Sequence, residues 1–298
     1  MIPRLDISLI ASSDEGTLEA LRLGALGSGF LIVHNTDITP GRMARLIGMY
    51  RAFFALEDAQ KAQVDMARTG ANRGWGAAGS EQVDPTANPD YKQVFDCGYH
   101  IQDSNLPVYG PNLWPDQPAG FREEVEAYYR DAMRVAMIVL RGIARAIGTN
   151  ADYFDDKFDR PMALLRANYY PPRPVWAGEK DFGIAAHTDY GCVTLLGTDG
   201  APGLEVMTPE GDWLPVQAQP GEFIINFGEM LEIWTAGQVK ATLHRVRGTS
   251  AERISVPLFF NPNFETNVAP MGAGKTIRAG DHLSKRFEET YLHMQKTP

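Results

Sequence analysis

The chain has 298 residues and a formal net charge of −9, with 37 acidic residues against 28 basic ones. This acidic balance argues against nucleic acid or an anionic membrane surface as a partner. The two cysteines lie outside any CxxC pattern, which fits a reducing compartment, and no apolar run reaches the length of about 18 residues that spans a bilayer. We therefore expect a cytoplasmic protein with no nucleic-acid or membrane partner, either a monomer or a weak homo-oligomer.

The first third of the chain mixes short strands with one clear helix. Strand signals lie near residues 5–10 and 29–34. Thr39 and Pro40 are a cap residue and a proline suited to the first helical position, and apolar residues then recur at helical spacing until about Gln63. Residues 66–117 are rich in Gly, Pro, Asn and Asp and form the least regular stretch.

A long amphipathic helix is predicted from about Ala119 to Ile147, with Gly148 as its C-terminal stop. From 162 to 262 strand and turn signals alternate, as in a double-sheet jelly roll, and a last amphipathic helix covers about 280–294.

This order predicts an α+β fold with a mainly β core, a double-stranded β-helix (jelly roll) with N-terminal and C-terminal supporting helices. We divide the chain into an N-terminal region (1–117), a long supporting helix with its linker (118–160), a jelly-roll core (161–265) and a C-terminal helix (266–298). These parts are expected to form one compact unit.

Two histidines and one aspartate form the first candidate site. His187 and Asp189 lie two positions apart in GIAAHTDYGCVTLLG, and His244 follows in ATLHRV. If both segments are strands, residues i and i+2 point to the same face, so His187 and Asp189 would project side by side. Two imidazoles and one carboxylate suit a divalent first-row metal with open coordination positions, although these donors alone admit Mn, Co or Ni as well as iron. Each residue taken singly could equally be a hydrogen-bonded polar residue of the core.

Arg253 and Ser255 form the second candidate site, two positions apart in ERISVPLFFN. An arginine inside an apolar strand costs free energy unless it is paired. A carboxylate held by charge-assisted hydrogen bonds would offset that cost, so the pair predicts a bound small acid beside the metal. The alternative is a structural salt bridge.

These motifs, HxD, then His, then RxS, resemble those of the iron(II)- and 2-oxoglutarate-dependent dioxygenases, in the branch similar to isopenicillin N synthase and the plant flavonoid or gibberellin oxidases. Other segments are similar to the family in the same order and extend the resemblance over nearly the whole chain; they include IPRLDIS, GSGFLIVHN, FFALEDAQK, LLRANYYPP, APGLEV and WLPVQAQPGEFIINFGEMLEIWTAG.

The resemblance implies Fe(II) at His187, Asp189 and His244, with 2-oxoglutarate as cosubstrate and O2 as oxidant. It also implies that Arg253, Ser255 and Tyr170 hold the distal carboxylate of 2-oxoglutarate and that Asn168 lies near its metal-binding end. The implied reaction oxidises a C–H bond of a small-molecule substrate, by hydroxylation or by desaturation or cyclisation, and releases succinate and CO2. Substrate contacts are expected among Arg73, Trp75, Lys92, Tyr99 and Phe260. The alternative is that the arginine is solvated and the aromatic residues pack in the core.

Two alternatives remain open at this point. In isopenicillin N synthase the matching Arg and Ser hold the substrate, so an oxidase that uses O2 without 2-oxoglutarate is possible. The NYY run at 168–170 resembles the 2-oxoglutarate users more closely. The second alternative is a non-catalytic small-molecule binding protein on the same scaffold.

Overall fold

The computed structural model describes residues 2–68, 71–81, 88, 90–173, 175, 178, 183–248, 250–270 and 272–290. The N-terminal half contains the elements β1 (Arg4–Asp6), α1 (Ile7–Ser12), α2 (Glu15–Leu26), β2 (Phe30–His34), α3 (Pro40–Phe54), α4 (Asp58–Lys61), β3 (Gly74–Gly76), β4 (Gln93–Gly98) and α5 (Phe121–Ala146). The C-terminal half contains β5 (Leu164–Tyr170), β6 (Ile184–His187), β7 (Val193–Thr198), β8 (Leu204–Met207), β9 (Trp213–Pro215), β10 (Phe223–Phe227), α6 (Glu229–Trp234), β11 (His244–Val246), β12 (Arg253–Phe260) and α7 (Ala279–Thr290).

The strands form two sheets. The larger has eight strands in the order β1-β2-β10-β7-β12-β5-β4-β3, and the smaller has four in the order β6-β11-β8-β9. The chain crosses between the sheets repeatedly after β5, which is the connectivity of a double-stranded β-helix. The predicted jelly roll with supporting helices is therefore confirmed.

Each face of the larger sheet is buried against a different partner. Leu31, Val33 and Ile225 belong to a core cluster shared with helices α3 and α5. Their neighbours Phe30, Ile32 and Ile224 belong to a second cluster with residues of the smaller sheet. Because successive side chains of a strand point to opposite faces, a strand covered on both sides must be apolar throughout. This explains why FLIVH and FIINF lack the usual polar alternation.

The predicted helices are present, with shifts at their ends. Helix α3 begins at Pro40 as predicted, and Thr39 Oγ1 accepts the hydrogen bond of the Arg42 amide at 3.3 Å. It ends at Phe54 rather than near Gln63, because Glu57 starts a new short helix through a capping box with Gln60.

Helix α5 covers Phe121–Ala146, within two residues of the prediction at its N-terminus and one at its C-terminus, and Gly148 follows it with a positive φ of 77°. The strand predicted over 5–10 is wrong after Asp6: Asp6 caps α1 by accepting the Ser8 amide hydrogen bond at 2.8 Å, which turns the chain into a helix. Helix α2 was not predicted. The predicted end of the last helix, near 294, lies outside the described residues. Of the helices that the structure describes, none is long and apolar enough to cross a membrane.

Candidate metal and cosubstrate site

The two histidines of the HxD…H motif are brought together by strand pairing. His187 is the last residue of β6, His244 is the first residue of β11, and the two residues lie opposite each other in the antiparallel pair. Their ring centroids are 4.4 Å apart. The spacing of neighbouring strands in a hydrogen-bonded sheet thus sets the separation of the two imidazoles.

Asp189 reaches the histidines from a loop. Strand β6 ends at His187, so the prediction that His187 and Asp189 share one strand is wrong. The chain turns after β6 and still places Asp189 Oδ1 at 3.8 Å from His187 Nε2 and 3.6 Å from His244 Nε2. Across the described residues, this is the one group of three or more His, Cys, Asp or Glu side chains whose ligand atoms are all within 4.8 Å of one another.

Backbone carbonyls orient both rings. His187 Nδ1 lies 2.8 Å from the carbonyl oxygen of Ala185, and His244 Nδ1 lies 3.0 Å from that of Thr242. A carbonyl only accepts, so each Nδ1 carries the proton and each Nε2 keeps its lone pair. Burial, together with the neighbouring His244, lowers the pKa of His187 to about 4, so this imidazole is neutral at neutral pH.

The Asp189 carboxylate is held by two donors. Its Oδ2 accepts hydrogen bonds from Asn226 Nδ2 at 2.7 Å and from Thr194 Oγ1, which leaves Oδ1 for the two imidazoles. Burial acts to raise the pKa of Asp189, but the two histidines and these hydrogen bonds hold it below its ordinary value. One carboxylate and two imidazole nitrogens with supporting hydrogen bonds are the donor set of an Fe(II) site with open positions.

The Arg253–Ser255 pair lies beside this group, on β12. The pairing of β12 with β5 sets Arg253 opposite Tyr170 and Ser255 opposite Asn168. Asn168 Nδ2 donates to Ser255 Oγ at 3.4 Å, and Arg253 Cζ lies 5.0 Å from the centre of the Tyr170 ring. These four side chains and the three candidate ligands border one cavity of about 50 Å³.

Arg253 is only 3% exposed, and its Nε and Nη1 have no hydrogen-bond partner among the described residues. The same holds for Asn168 Oδ1. Buried guanidinium N–H groups without a partner are unfavourable, because they have lost their hydrogen bonds to water and have gained no others. The cavity therefore fits an anion that accepts from Arg253.

A second cavity, of about 110 Å³, also borders His187 and Asp189. Arg73 and Lys92, two of the predicted substrate contacts, border it. The other three predicted contacts lie elsewhere: Trp75 Nε1 donates to Gln93 Oε1, and Tyr99 and Phe260 pack in the core beside the helices. Phe259 borders both cavities in place of Phe260.

Five buried charged side chains form what we call the ionic wall of the larger cavity: Glu81, Lys92 and Arg166, which border it, and Asp90 and Asp96, which pair with Lys92 and Arg166. Lys92 Nζ lies 2.8 Å from both Glu81 Oε2 and Asp90 Oδ2. Arg166 donates to both oxygens of Asp96, at 2.8 and 2.6 Å, and to Glu81 Oε2 at 2.9 Å.

Burial acts to raise the pKa of Glu81, but the charges of Arg166 and Lys92 outweigh it and lower the pKa to about 2. Burial also raises the pKa of Asp90 and Asp96, each of which accepts directly from a cation. Sequence reasoning missed Glu81 and Arg166. An arginine within the apolar run LLRANYY was a usable signal, since a buried charge requires a partner.

Helix α7 closes the same cavity from the C-terminal side. Leu283 borders the cavity, and His282 Nε2 donates to the carbonyl of Tyr190 at 3.1 Å. Glu229 Oε1 accepts from Arg286 at 2.7 Å and from Thr188 Oγ1 at 2.6 Å. The helix is thus attached to the two residues that flank Asp189 in sequence.

Comparison with known proteins identifies the family to which this chain belongs. The family model of the 2OG-Fe(II) oxygenase superfamily matches residues 161–262, and that of the non-haem dioxygenase in morphine synthesis N-terminal region matches residues 2–117. The chain is 31% identical to "Homoarginine-6-hydroxylase 2-ODD-C23" of Glycine max, over 96% of this chain and 92% of that protein. It is also 31% identical to a "2-oxoglutarate-Fe(II) type oxidoreductase" of Aspergillus fumigatus, over 88% and 82% of the two chains.

Among solved structures, a full-length protein of Neurospora crassa in complex with alpha-KG superposes with a TM-score of 0.86 at 27% identity, over 97% of this chain and 96% of that one. A putative 2OG-Fe(II) oxygenase family protein of Caulobacter crescentus gives 0.84 at 26% identity, over 97% and 98%. Relatives named for 2-oxoglutarate favour this cosubstrate over the oxidase that does without it. The chain belongs to the 2-oxoglutarate- and Fe(II)-dependent oxygenase superfamily, and it is an oxidoreductase that uses Fe(II), 2-oxoglutarate and O2.

Proposed function

We propose that His187, Asp189 and His244 bind the Fe(II) of this oxygenase, and that Arg253, Ser255, Tyr170 and Asn168 bind its 2-oxoglutarate. The observation that carries the proposal is Arg253, a buried cation whose Nε and Nη1 lack partners among the described residues. The free Nε2 atoms of the two histidines and Oδ1 of Asp189 provide the metal donors next to it. A dicarboxylic acid that reaches from the metal to Arg253 would bind the metal at one end and accept hydrogen bonds from Arg253 at the other.

When bound, Fe(II) and 2-oxoglutarate supply an O2-dependent oxidation that yields succinate, CO2 and an oxidised C–H position of the substrate. The residues of the chain position these components. Arg253 and Ser255 fix the distal carboxylate, and the ring of Tyr170 covers the guanidinium at 5.0 Å. Phe259, between the two cavities, and Leu283 of α7 keep apolar surface around the reacting centre and exclude water from it.

The substrate is proposed to be a small molecule that enters the larger cavity, beside His187 and Asp189. Structural relatives support this size: the Neurospora crassa protein was also solved with thymine, and JOX2 was solved with 2OG, Fe and JA. Hydroxylation is the proposed outcome, as in the homoarginine-6-hydroxylases of Glycine max and Oryza sativa.

The test is release of succinate from 2-oxoglutarate by the purified protein with Fe(II) and O2, with and without candidate substrates. Calorimetric titration of Fe(II) under anaerobic conditions measures the metal site independently of turnover. His187→Ala should abolish tight Fe(II) binding and succinate release. The control is His100→Ala, since His100 lies away from the site, with its Nδ1 at 3.1 Å from the carbonyl of Tyr109. Unchanged Fe(II) affinity in His187→Ala would refute the ligand assignment.

A further inference from the structure

The larger cavity combines a small volume with an unusual wall. Its volume of about 110 Å³ is of the order of a cavity that holds a single aromatic ring, since an engineered apolar cavity of about 150 Å³ binds benzene. Apolar side chains cover part of it, namely Val108, Met162, Leu164, Ile184, Phe259 and Leu283. Arg73 and three members of the ionic wall, Glu81, Lys92 and Arg166, supply a charged part. The side towards the candidate metal site is made by Asn168, His187, Thr188, Asp189, Tyr190, Gly191 and Asn261.

The charges around this cavity balance. Over the described residues, the three cations Arg73, Lys92 and Arg166 are matched by the three carboxylates Glu81, Asp90 and Asp96. Asp189, which borders both cavities, is counted below with Arg253. Every member of the ionic wall is in direct contact with an opposite charge, at 2.6 to 2.9 Å. Arg73 donates to the backbone carbonyls of residues 71, 72 and 108, at 3.1, 3.3 and 2.7 Å.

The charges around the adjacent cosubstrate cavity balance as well. There Arg253 is offset by Asp189, and Fe(II) is offset by the two carboxylates of 2-oxoglutarate. A charged substrate would therefore add a charge with no counterion to a buried site, and burial of an unpaired charge is costly. A neutral molecule avoids this cost.

Hydrogen-bonding capacity nevertheless remains at the wall. The Lys92 ammonium group carries three N–H bonds and donates two of them to carboxylates, which leaves one for an acceptor. The Glu81 carboxylate, held in its charged form, can accept a further hydrogen bond from a donor. An amide-like edge offers both an acceptor and a donor.

We propose, on the basis of the function proposed above, that the substrate is an electrically neutral molecule whose reacting part is about one ring in size and carries an amide-like polar edge against Lys92 and Glu81. Lys92 and Glu81 are then specificity-determining residues of this oxygenase. Selection against charged molecules arises from the balanced charges of the wall.

The test uses three probes of nearly the same shape that differ in charge: benzamide (neutral), benzoate (anionic) and benzamidine (cationic). Each is titrated calorimetrically into the anaerobic protein with Fe(II) and saturating 2-oxoglutarate, which keeps benzoate away from Arg253. Benzamide should bind at least about tenfold more tightly than either charged probe. Equal or tighter binding of benzoate would overturn the proposal and assign Arg73 as the counterion of an acidic substrate. Equal or tighter binding of benzamidine would also overturn it.

A variant that changes the charge of the ionic wall tests whether the charge balance causes the selection against charged molecules. Asp90 is 2% exposed and lies behind Lys92, so Asp90→Asn removes one negative charge with little change in shape. The ratio of the Kd for benzoate to the Kd for benzamide should fall by about tenfold. The control Asp155→Asn, at the surface ion pair with Arg141, should leave this ratio unchanged. An unchanged ratio in a folded Asp90→Asn variant would overturn the charge argument; if this variant does not fold, the wild-type ratios decide. Failure of all three probes to bind would refute the ring-sized substrate, while 2-oxoglutarate binding would show that the proposed function itself stands.

Discussion

Substitution of Arg253 by methionine should separate the binding role of this residue from any structural role. The guanidinium Nε and Nη1, which lack partners among the described residues, are expected to donate to the distal carboxylate of 2-oxoglutarate. A hydrogen bond to a charged group contributes about 1.5–3 kcal/mol, so the loss of two such bonds costs at least about 3 kcal/mol. Since about 1.4 kcal/mol corresponds to a factor of ten, the Kd for 2-oxoglutarate should rise by at least about 100-fold.

The same substitution should not destabilise the ligand-free protein. Without 2-oxoglutarate, Arg253 is a buried cation whose Nε and Nη1 have no hydrogen-bond partner among the described residues, so little offsets the desolvation cost of these groups. Replacing such a charge by an apolar side chain of similar length is often neutral or stabilising. The free energy of unfolding of Arg253→Met, measured by urea denaturation without ligand, should therefore equal or exceed that of the wild type.

Arg42→Met is the matched control. Arg42 forms an ion pair with the buried Asp131 between α3 and α5, away from both cavities. This variant should lose stability and keep its affinity for 2-oxoglutarate, which is the opposite pattern. The binding role of Arg253 is refuted if Arg253→Met unfolds more easily than the wild type. It is also refuted if calorimetry finds a Kd for 2-oxoglutarate within threefold, or about 0.65 kcal/mol, of the wild-type value.

Three further predictions concern the remaining parts of the site. The pKa of Glu81 is lowered from 4.5 to about 2 in the folded protein, so its stabilising contribution is complete above pH 4.5 and is lost as the pH falls towards 2. Glu81→Gln should be less stable than the wild type at pH 7, by on the order of 3 kcal/mol, and the two unfolding free energies should converge over that acidic range; a constant difference would contradict the assignment. In Gly228→Ala the added Cβ would lie 2.6 Å from the Asp189 carbonyl oxygen, so the loop must move and Fe(II) affinity should fall by about tenfold or more, whereas Gly41→Ala, whose Cβ meets nothing within 4 Å, should not change it. Asn226→Ala removes a donor to Asp189 Oδ2 and should weaken Fe(II) binding by roughly 10–100-fold in anaerobic calorimetry, so an unchanged affinity would show that this hydrogen bond does not orient the ligand.

Much of the fold and the centre of the candidate site could be predicted because their signals are local. The alternation of a strand places Arg253 and Ser255 on one face, and the structure has both on β12 bordering the smaller cavity. The same alternation continues to Phe259, which borders the cavities, while Phe260 faces the helices. Extending the period of two from Arg253 would therefore have replaced the expected contact Phe260 with Phe259.

Other features depend on contacts between distant segments and have no local signal. Arg166 donates to Asp96 and Glu81, which are 70 and 85 positions away in sequence. Nothing in either segment alone shows that they meet, so the ionic wall appears only once β3, β4 and β5 are paired in the larger sheet. Asp189 is a third case. Its spacing from His187 correctly indicated that the two side chains lie close together, but the end of β6 at His187 is set by the turn into β7 and was not predicted.

The attachment of α7 links the last described helix of the chain to the residues on either side of Asp189. Through Arg286, Glu229 and Thr188, a displacement of this helix is transmitted to the backbone on one side of Asp189, and through His282 to the other side. Helix α7 is therefore part of the wall of the larger cavity and not only a support for the sheets. Substitutions in α7 alone are therefore expected to change the size of the larger cavity while the proposed metal ligands His187, Asp189 and His244 stay the same.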